Sequence, residues 1–399
     1  MKFFHLSDLH IGKQLHHYSL KEEQEAILRE VVGYAKDIHP DAVVIAGDIY
    51  DRSVPSAEAV TVFDWFLTQL SEIVPAIPVL IISGNHDSGE RLMYASHILE
   101  KHHIHLAGNA LGDREERLRK VTLKDDFGQV DFYLLPFMKP SYVRNVFEGE
   151  PLKTNDQGDA LQGPPGYTDA VQRILEREEI DYQNRRNVLV SHQFYTGNMS
   201  GACPMTCDSE IFCVGGLENV DIRVVKDFDY VALGHLHSPQ SVGSPHIRYC
   251  GTLLKYSVSE CSHVKTLTVV TLLEKGKPPL IDLLPLHPLR DVKKKTGKLE
   301  DIIKQAEAGE REDFISVTLK DEIEPYKPKE QLEKVFDHIL EVRVDNARTR
   351  QKLREMDEEL AMKDPLEIFE DFYEEIQGTR LKEEEVEMMR QIFEQAKEE

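Results

Sequence analysis

The sequence predicts an α/β fold whose functional groups gather along one edge of its sheets. Three observations carry this. Short apolar runs rich in β-branched residues alternate with stretches of helical spacing. Five of those runs end on Asp, Asn or His. In open α/β sheets, ligands bind outside the carboxyl ends of the strands, so these endings fall where chemistry is done. The clearest case is DAVVIAGDIYD, Asp41 to Asp51. Ala42 to Ala46 reads as a buried strand, Gly47 ends it, and Asp48 sits at its tip.

Taken in order, Lys2 to Leu6 is a strand running into Ser7-Asp8-Leu9-His10-Ile11-Gly12. In extended backbone, residues two apart point the same way, so Asp8 and His10 can reach one ion. Glu22 to His39 is a helix, with Ala26, Ile27, Val31, Tyr34, Ala35 and Ile38 at helical spacing and Pro40 as its stop. Ser56 can cap a second helix reaching Ile73, whose stripe is Val60, Phe63, Leu67 and Leu70. Pro78 to Ile82 is a strand ending in Ser83-Gly84-Asn85-His86-Asp87, and Glu90 to His103 is helical. Gln129 to Phe137 is a strand. Glu148 to Thr168, rich in Gly, Pro, Asp and Asn, is a long loop. After the short helix Asp169 to Glu179, the strand Asn187 to Val190 ends in Ser191-His192, and Tyr230 to Leu233 ends in Gly234-His235-Leu236-His237. Lys265 to Leu273 and Pro278 to Leu286 form a hairpin around Glu274-Lys275-Gly276-Lys277.

After Pro288 the texture changes, which divides the chain at 1–288, 289–347 and 348–399. The middle part reads strand, helix, strand, helix, strand: Asp291-Val292, Leu299 to Ala306, Phe314 to Leu319, Pro328 to Ile339, Leu340 to Val344. The last part is charged and helical, with two segments, Pro365 to Gln377 and Leu381 to Lys397, around Gly378. Leu366, Phe369, Tyr373 and Ile376 share one helical face beside Phe372, and Val386, Met389 and Phe393 another beside Ile392. Such stripes either pack onto the core or dock on a partner's groove.

Length favours two or three domains over one. The net charge of −23 argues against a polyanion binder working through a general basic surface. It leaves open nucleic acid as a substrate, because metal ions supply local positive charge. From Gln351 to Glu399 there are 17 acidic and 7 basic residues, so the tail carries much of that charge. The five cysteines, Cys203, Cys207, Cys213, Cys250 and Cys261, are odd in number and scattered, as expected of reduced thiols in the cytosol. Cys203, Cys207 and Cys213 share a loop, but no fourth ligand sits at zinc-finger spacing. The N-terminus has no signal-peptide pattern, and no apolar run approaches the roughly 20 residues of a membrane helix.

The strand-end residues are Asp8, His10, Asp48, Asn85, His192, His235 and His237. One Asp at a strand end is ordinarily a turn former, and one His an ordinary surface or core residue. Seven together on five strands are hard to explain as turns. Imidazole with carboxylate and amide oxygen suits Mn²⁺, Fe²⁺, Zn²⁺ or Co²⁺ better than Ca²⁺ or Mg²⁺. Seven ligands exceed one ion's need, and a shared carboxylate would hold two ions about 3.5–4 Å apart. Two divalent ions against two carboxylates leave a positive site, for which a phosphoester attacked by activated water is the natural substrate.

Asp8-Leu9-His10, Gly47-Asp48-Ile49-Tyr50-Asp51, Gly84-Asn85-His86-Asp87, Ser191-His192 and Gly234-His235-Leu236-His237 resemble the five motifs of the calcineurin-like metallophosphoesterases. Their order, and the continuation through Pro285-Leu286-His287-Pro288-Leu289-Arg290 into a small domain, resemble the SbcD-type nucleases of the Mre family. The resemblance implies a two-sheet αββα metallophosphoesterase sandwich, a small α/β capping domain and a C-terminal helical arm. It implies two Mn²⁺ ions: Asp8, His10, Asp48 and His237 on one, Asp48, Asn85, His192 and His235 on the other. His86 is then a catalytic residue facing the scissile phosphate, oriented by Asp51. It further implies exonuclease and endonuclease action on DNA in double-strand-break repair. The partners would be an SMC-like ATPase, SbcC, and a second copy of the chain, with the helices Ser56 to Ile73 and Glu90 to His103 as candidate dimer contacts. The location would be the cytoplasm, at the nucleoid.

Two other functions stay open at this point. Protein phosphatases of the superfamily carry GDxVDRG and GNHE. Here Ser53 follows Asp51-Arg52, and Asp87 stands in place of Glu, which favours the nuclease. A scaffold with a degenerate core is disfavoured by the complete ligand set. Lys13, Arg52 and Arg91 follow motif residues and are candidates for phosphate contacts or for ordinary ion pairs.

Overall fold

The computed structural model describes residues 1–147, 166–197, 205–208, 219–323, 325–351 and 365–398. Most of the expected loop Glu148 to Thr168, together with Cys203, Cys213 and the start of the arm region, lies outside them. The chain divides into two compact units. One is 1–293 with 312–314, and the other is 294–311 with 315–399.

The first unit holds two six-stranded sheets. In the first, the order is Leu280–Pro285, Thr266–Thr271, Lys2–Leu6, Ala42–Ala46, Val79–Ile82, Ile104–Ala107. The last four strands run parallel, with Phe3 beside Ala42, Val43 beside Val79 and Val79 beside Ile104. In the second, the order is Gln240–Val242, Ser244–Tyr249, Tyr230–Leu233, Arg186–Ser191, Gly128–Leu135, Arg119–Asp125. There Tyr230–Leu233 and Arg186–Ser191 are parallel neighbours, Tyr230 beside Val188.

Alternation along the strands explains the sandwich. Phe3, Val44, Ala46, Leu80 and Ile82 of one sheet meet Val130, Phe132, Leu134, Val188, Val190, Tyr230 and Ala232 of the other in one buried cluster. The ring of Phe3 stands edge-on to Phe132 and Tyr230, with centroids 5.5 and 5.7 Å away. The opposite faces are buried too, as parallel sheets require. Crossover helices Lys21–Ile38 and Ala57–Ser71 bring buried stripes such as Ile27, Val31 and Ala35, and Val62, Phe66 and Leu70. Helix Tyr167–Glu176 adds Ala170, Val171 and Ile174 to the cluster holding Leu189, Val231 and Leu233. Thus all five expected strands carry their ends to two parallel arrays.

Most expected elements are present within a few residues. Ser56 caps its helix, accepting from the Ala59 N–H at 3.2 Å. The hairpin pairs Thr266 with Pro285 and Thr271 with Leu280. The helix expected over Glu90 to His103 is corrected. It is three short pieces, Gly89–Leu92, Ser96–Leu99 and a 3₁₀ turn Glu100–His102. Ala95 adopts φ +59°, a left-handed conformation that a continuous helix does not allow. The strands Ile104–Ala107, Arg119–Asp125 and Ser244–Tyr249 were not expected. Arg119–Asp125 is a polar sheet edge, with burial alternating only weakly, which hides it from a hydrophobic pattern.

The second unit contains most of a three-stranded sheet, Val292–Gly297, Phe314–Leu319 and His338–Val344, in chain order. Leu299 and Ile302 pack with Ile315, Val317, Leu332 and Phe336. The second expected helix is shorter than Pro328 to Ile339, ending at Leu332. Helices Pro365–Gln377 and Glu383–Glu398 follow, touching through Phe369 and Phe393, centroids 6.2 Å apart. Among the described residues, no helix is long and apolar enough to cross a membrane.

Candidate metal centre

Four of the seven expected ligands sit in strained backbone. Asp8, His10, Asp48 and His235 have φ of 53°, 42°, 51° and 100°. Positive φ is uncommon outside glycine and costs about 1–3 kcal/mol per residue, so it persists only where surroundings impose it. Those surroundings are backbone hydrogen bonds between strand ends. The Asp8 N–H donates to the Gly47 carbonyl at 2.9 Å, and the His10 N–H to the Asp48 carbonyl at 3.0 Å. The two sheets are joined there as well: His192 Nδ1 lies 2.7 Å from the Ala46 carbonyl, and the His235 N–H donates to Asp8 Oδ1 at 3.0 Å. Two motif glycines make this approach possible. A Cβ on Gly84 would collide with the Asp48 carboxylate, and one on Gly234 with the Ala46 carbonyl.

The side chains converge. His10 Nε2 and His237 Nε2 are 3.1 Å apart. Asn85 Oδ1 lies 3.1 Å from both His192 Nε2 and His235 Nδ1. Asp48 Oδ2 is 3.4 Å from His192 Nε2 and 3.7 Å from His10 Nε2, between the two groups. Asp8 Oδ1 is 3.9 Å from His192 Nε2. Asp8, His10, Asp48, His192 and His237 are buried, and Asn85 and His235 are half-buried.

Electrostatics make this set receptive to cations. Burial opposes charge on Asp48, but the imidazoles of His192, His10 and His86 outweigh it and hold its carboxyl well below the usual range. Burial raises Asp8, with His192 and His237 opposing. Burial, reinforced by neighbouring imidazole, pushes His235 down to about 3, and burial pushes His10 well below its usual value. Those two rings are therefore neutral at physiological pH, the form that ligates a metal. His192 is the exception: burial lowers it, but Asp48 and Asp8 hold it up to about 9. Because its Nδ1–H is given to the Ala46 carbonyl, Nε2 faces the carboxylates, where a bound cation would take the proton's place. Clusters of ligand atoms within 4.8 Å at this site are Asp8, His10 and His237, then Asp8, Asp48 and His192, and also His10, Asp48 and His86. The donor set thus fits divalent metal.

His86 lies beside this set. Its Nε2 is 4.0 Å from Asp48 Oδ2, and its ring is edge-on to His10 at 4.9 Å. Asp51 meets His86 through its main-chain carbonyl, 3.0 Å from His86 Nδ1. The Asp51 carboxylate itself accepts from Lys13 Nζ at 2.7 Å and lies 3.8 Å from His10 Nδ1. Lys13 is therefore held in an ion pair, while Arg52 and Arg91 are exposed.

Several supporting residues escaped sequence reasoning. Asp87 accepts from the N–H groups of Ile49, Tyr50 and Gly84 at 3.0, 2.9 and 2.9 Å, clamping the loops that carry Asp48 and Asn85. Gln24 Nε2 donates to the His10 carbonyl at 2.8 Å. Buried Glu260 sits 3.8 Å from His237 Nδ1 and pairs with Lys265 Nζ at 2.6 Å. The available signals were a polar Gln24 on a buried helical stripe and the place of Asp87 in a motif. Of the three loop cysteines, Cys207 is described, and its thiol shares a cluster with Glu260 and His263. Glu260 also pairs with Lys265 Nζ through Oε2 at 2.6 Å.

Comparison with known proteins agrees with this chemistry. The calcineurin-like phosphoesterase family matches residues 1–239, and the type 5 capsule protein repressor C-terminal domain matches residues 285–377. The chain belongs to the calcineurin-like phosphoesterases. One relative, the SbcD component of nuclease SbcCD from Staphylococcus saprophyticus, is 31% identical over 96% of this chain and 94% of its own length. Its namesake in Staphylococcus epidermidis is 32% identical over 85% and 84%. Within the phosphoesterases, the chain shares the SbcD nuclease family with both. Among solved structures, GAP50, the anchor in the inner membrane complex of Plasmodium, matches at 11% identity and a TM-score of 0.39, covering 73% of this chain and 89% of that one. That likeness is too distant to bear on the site.

The clamp generates a prediction. Asp87→Ala leaves three N–H groups without their acceptor and should weaken divalent-metal binding about 10–100-fold. Calorimetric titration of the folded variant with metal checks this; wild-type affinity would contradict it.

Proposed function

We propose that the chain is the nuclease subunit of an SbcCD-type complex: a two-Mn²⁺ phosphodiesterase that cleaves DNA as exonuclease and single-strand or hairpin endonuclease in double-strand-break repair. The observation carrying this is the position of Asp48, whose buried carboxylate lies between two groups of ligand atoms from both sheets. On this reading Asp8, His10, Asp48 and His237 hold one ion, and Asp48, Asn85, His192 and His235 the other. When bound, such ions make water nucleophilic and neutralise charge on a phosphodiester. The protein's own share is orientation and proton transfer. Asp48 and Asn85 fix the spacing of the site. His86, with Nδ1 anchored on the Asp51 carbonyl, presents Nε2 to stabilise the transition state and protonate the leaving oxygen.

The test compares linear and hairpin DNA with an aryl phosphate monoester, each with Mn²⁺. DNA cleavage is expected, and preference for the monoester would favour a phosphatase. In the same assay His86→Ala should lower DNA cleavage by about 10²–10⁴-fold while keeping both metals. Metal analysis showing an ion lost from this variant would refute its role.

Two surfaces support partners. The groove between helix Ala57–Ser71 and the segment Gly89–His102 measures 880 Å³ and includes the exposed Tyr94 and Ile98, which supports a homodimer. In the arm, Phe369 and Phe393 face each other while Phe372, Ile376, Met388 and Ile392 are exposed. That apolar strip on two amphipathic helices supports docking on the SbcC ATPase, in the cytoplasm at the nucleoid. Truncation before Asp364 should therefore leave Mn²⁺-dependent cleavage of simple DNA intact and abolish co-purification with the ATPase. Undiminished association would sink the arm's role.

A further inference from the structure

A groove of 450 Å³ opens beside the metal centre. Asn85 and His235 form its inner end, and Asn109, Phe137, Lys139 and Tyr142 its outer part. Its size falls within the range of pockets that take one small ligand, about 300–1,000 Å³. It is built from fixed backbone. The Phe137 N–H donates to the Ser83 carbonyl at 3.0 Å, stitching this segment to the residue before Gly84-Asn85. Ser83 Oγ donates to the Gly108 carbonyl at 2.6 Å, which fixes the other wall next to Asn109. Gly108 and Gly89 approach so closely that a Cβ on Gly89 would collide with the Gly108 carbonyl. Beyond Phe137, the Tyr142 N–H donates to the Lys139 carbonyl at 2.9 Å, a turn through Pro140-Ser141 that sets Lys139 and Tyr142 together at the rim.

The lining has a definite chemistry. Phe137 is half-buried, with its ring edge-on to His192 at 6.5 Å. Tyr142 is 56% exposed, so its ring is open to a ligand. Lys139 is exposed and makes no ion pair among the described residues, in a chain of net charge −23. Two aromatic side chains, an amide and a cation that share one groove with Asn85 and His235 match one nucleotide. The rings offer stacking to a base of any identity, and the ammonium offers a contact to phosphate. A base inside a duplex is already stacked and cannot enter a groove of this size, so the occupant is unpaired.

We propose that this groove is a nucleotide subsite. It takes the unpaired nucleotide next to the phosphodiester held over Asn85 and His235, with the base on Tyr142 and Phe137 and the following phosphate at Lys139. This rests on the nuclease reading above and adds why single strands, frayed ends and hairpin tips would be cut.

The full-length protein with Mn²⁺ tests it on two substrates, a single-stranded oligonucleotide and methyl p-nitrophenyl phosphate, which has no base. Tyr142→Ala and Lys139→Ala should each lower the preference for the oligonucleotide over the small diester by about tenfold, mainly through KM. Tyr142→Phe should retain it. An abasic residue walked along the oligonucleotide should raise the wild-type KM at one position and raise that of Tyr142→Ala no further. Unchanged preference in both alanine variants, or equal loss on both substrates, would overturn the subsite. A wild-type protein that hydrolyses the small diester but no DNA would instead overturn the nuclease reading, and the subsite with it.

Discussion

Asp48 sits where the two sheets of the sandwich meet. Its carboxylate is buried at the seam of two sheets, 3.4 Å from His192 of one and 3.7 Å from His10 of the other. Its own backbone is left-handed, at φ 51°. A charge so placed is destabilising alone, because burial opposes it. It is held by the His86 N–H at 2.9 Å and by surrounding imidazoles, and the loop behind it is clamped by Asp87. The sandwich supplies the rest. Two parallel arrays must end side by side, close enough for His192 to reach the Ala46 carbonyl and for Gly84 to pass without a Cβ.

Strain and burial are concentrated in one place for a chemical reason. Four strand-end residues with positive φ, facing imidazoles 3.1 Å apart and two carboxylates in a buried seam form an arrangement that folding alone would not select. The large cluster between the sheets, centred on Phe3, Phe132 and Tyr230, supplies the rigidity that holds it. A site built on strand ends and backed by such packing can keep its geometry through a catalytic cycle. The groove toward Lys139 and Tyr142 extends from this rigid seam, since its walls are bonded to Ser83, next to the glycine preceding Asn85.

The strands and the convergence of their polar ends were legible in the sequence because each end follows a strand of strong pattern. Ala42–Ala46, Val79–Ile82 and Tyr230–Leu233 are short apolar runs ended by glycine or serine-glycine, so their polar endings stood out. What remained hidden depends on distance in space. Glu260 lies 23 residues beyond His237 and has no pattern of its own, yet it stands 3.8 Å from that ring. Asp87 was visible as a motif residue, but its role as acceptor for three N–H groups needs the loops of both neighbouring strands. That Asp51 meets His86 through its carbonyl while its carboxylate turns to Lys13 and His10 was also hidden, because sequence says nothing of which atom makes a contact. The break at Ala95 was equally invisible, since its flanks keep apolar residues at helical spacing.

On the proposed reading, one carboxylate unites two ions. Anomalous diffraction at the manganese edge, on crystals grown with Mn²⁺, measures this. Two peaks about 3.5–4 Å apart are expected with Asp48 between them, and loss of occupancy at both in Asp48→Asn. A single peak, or two peaks that survive Asp48→Asn undiminished, would contradict it.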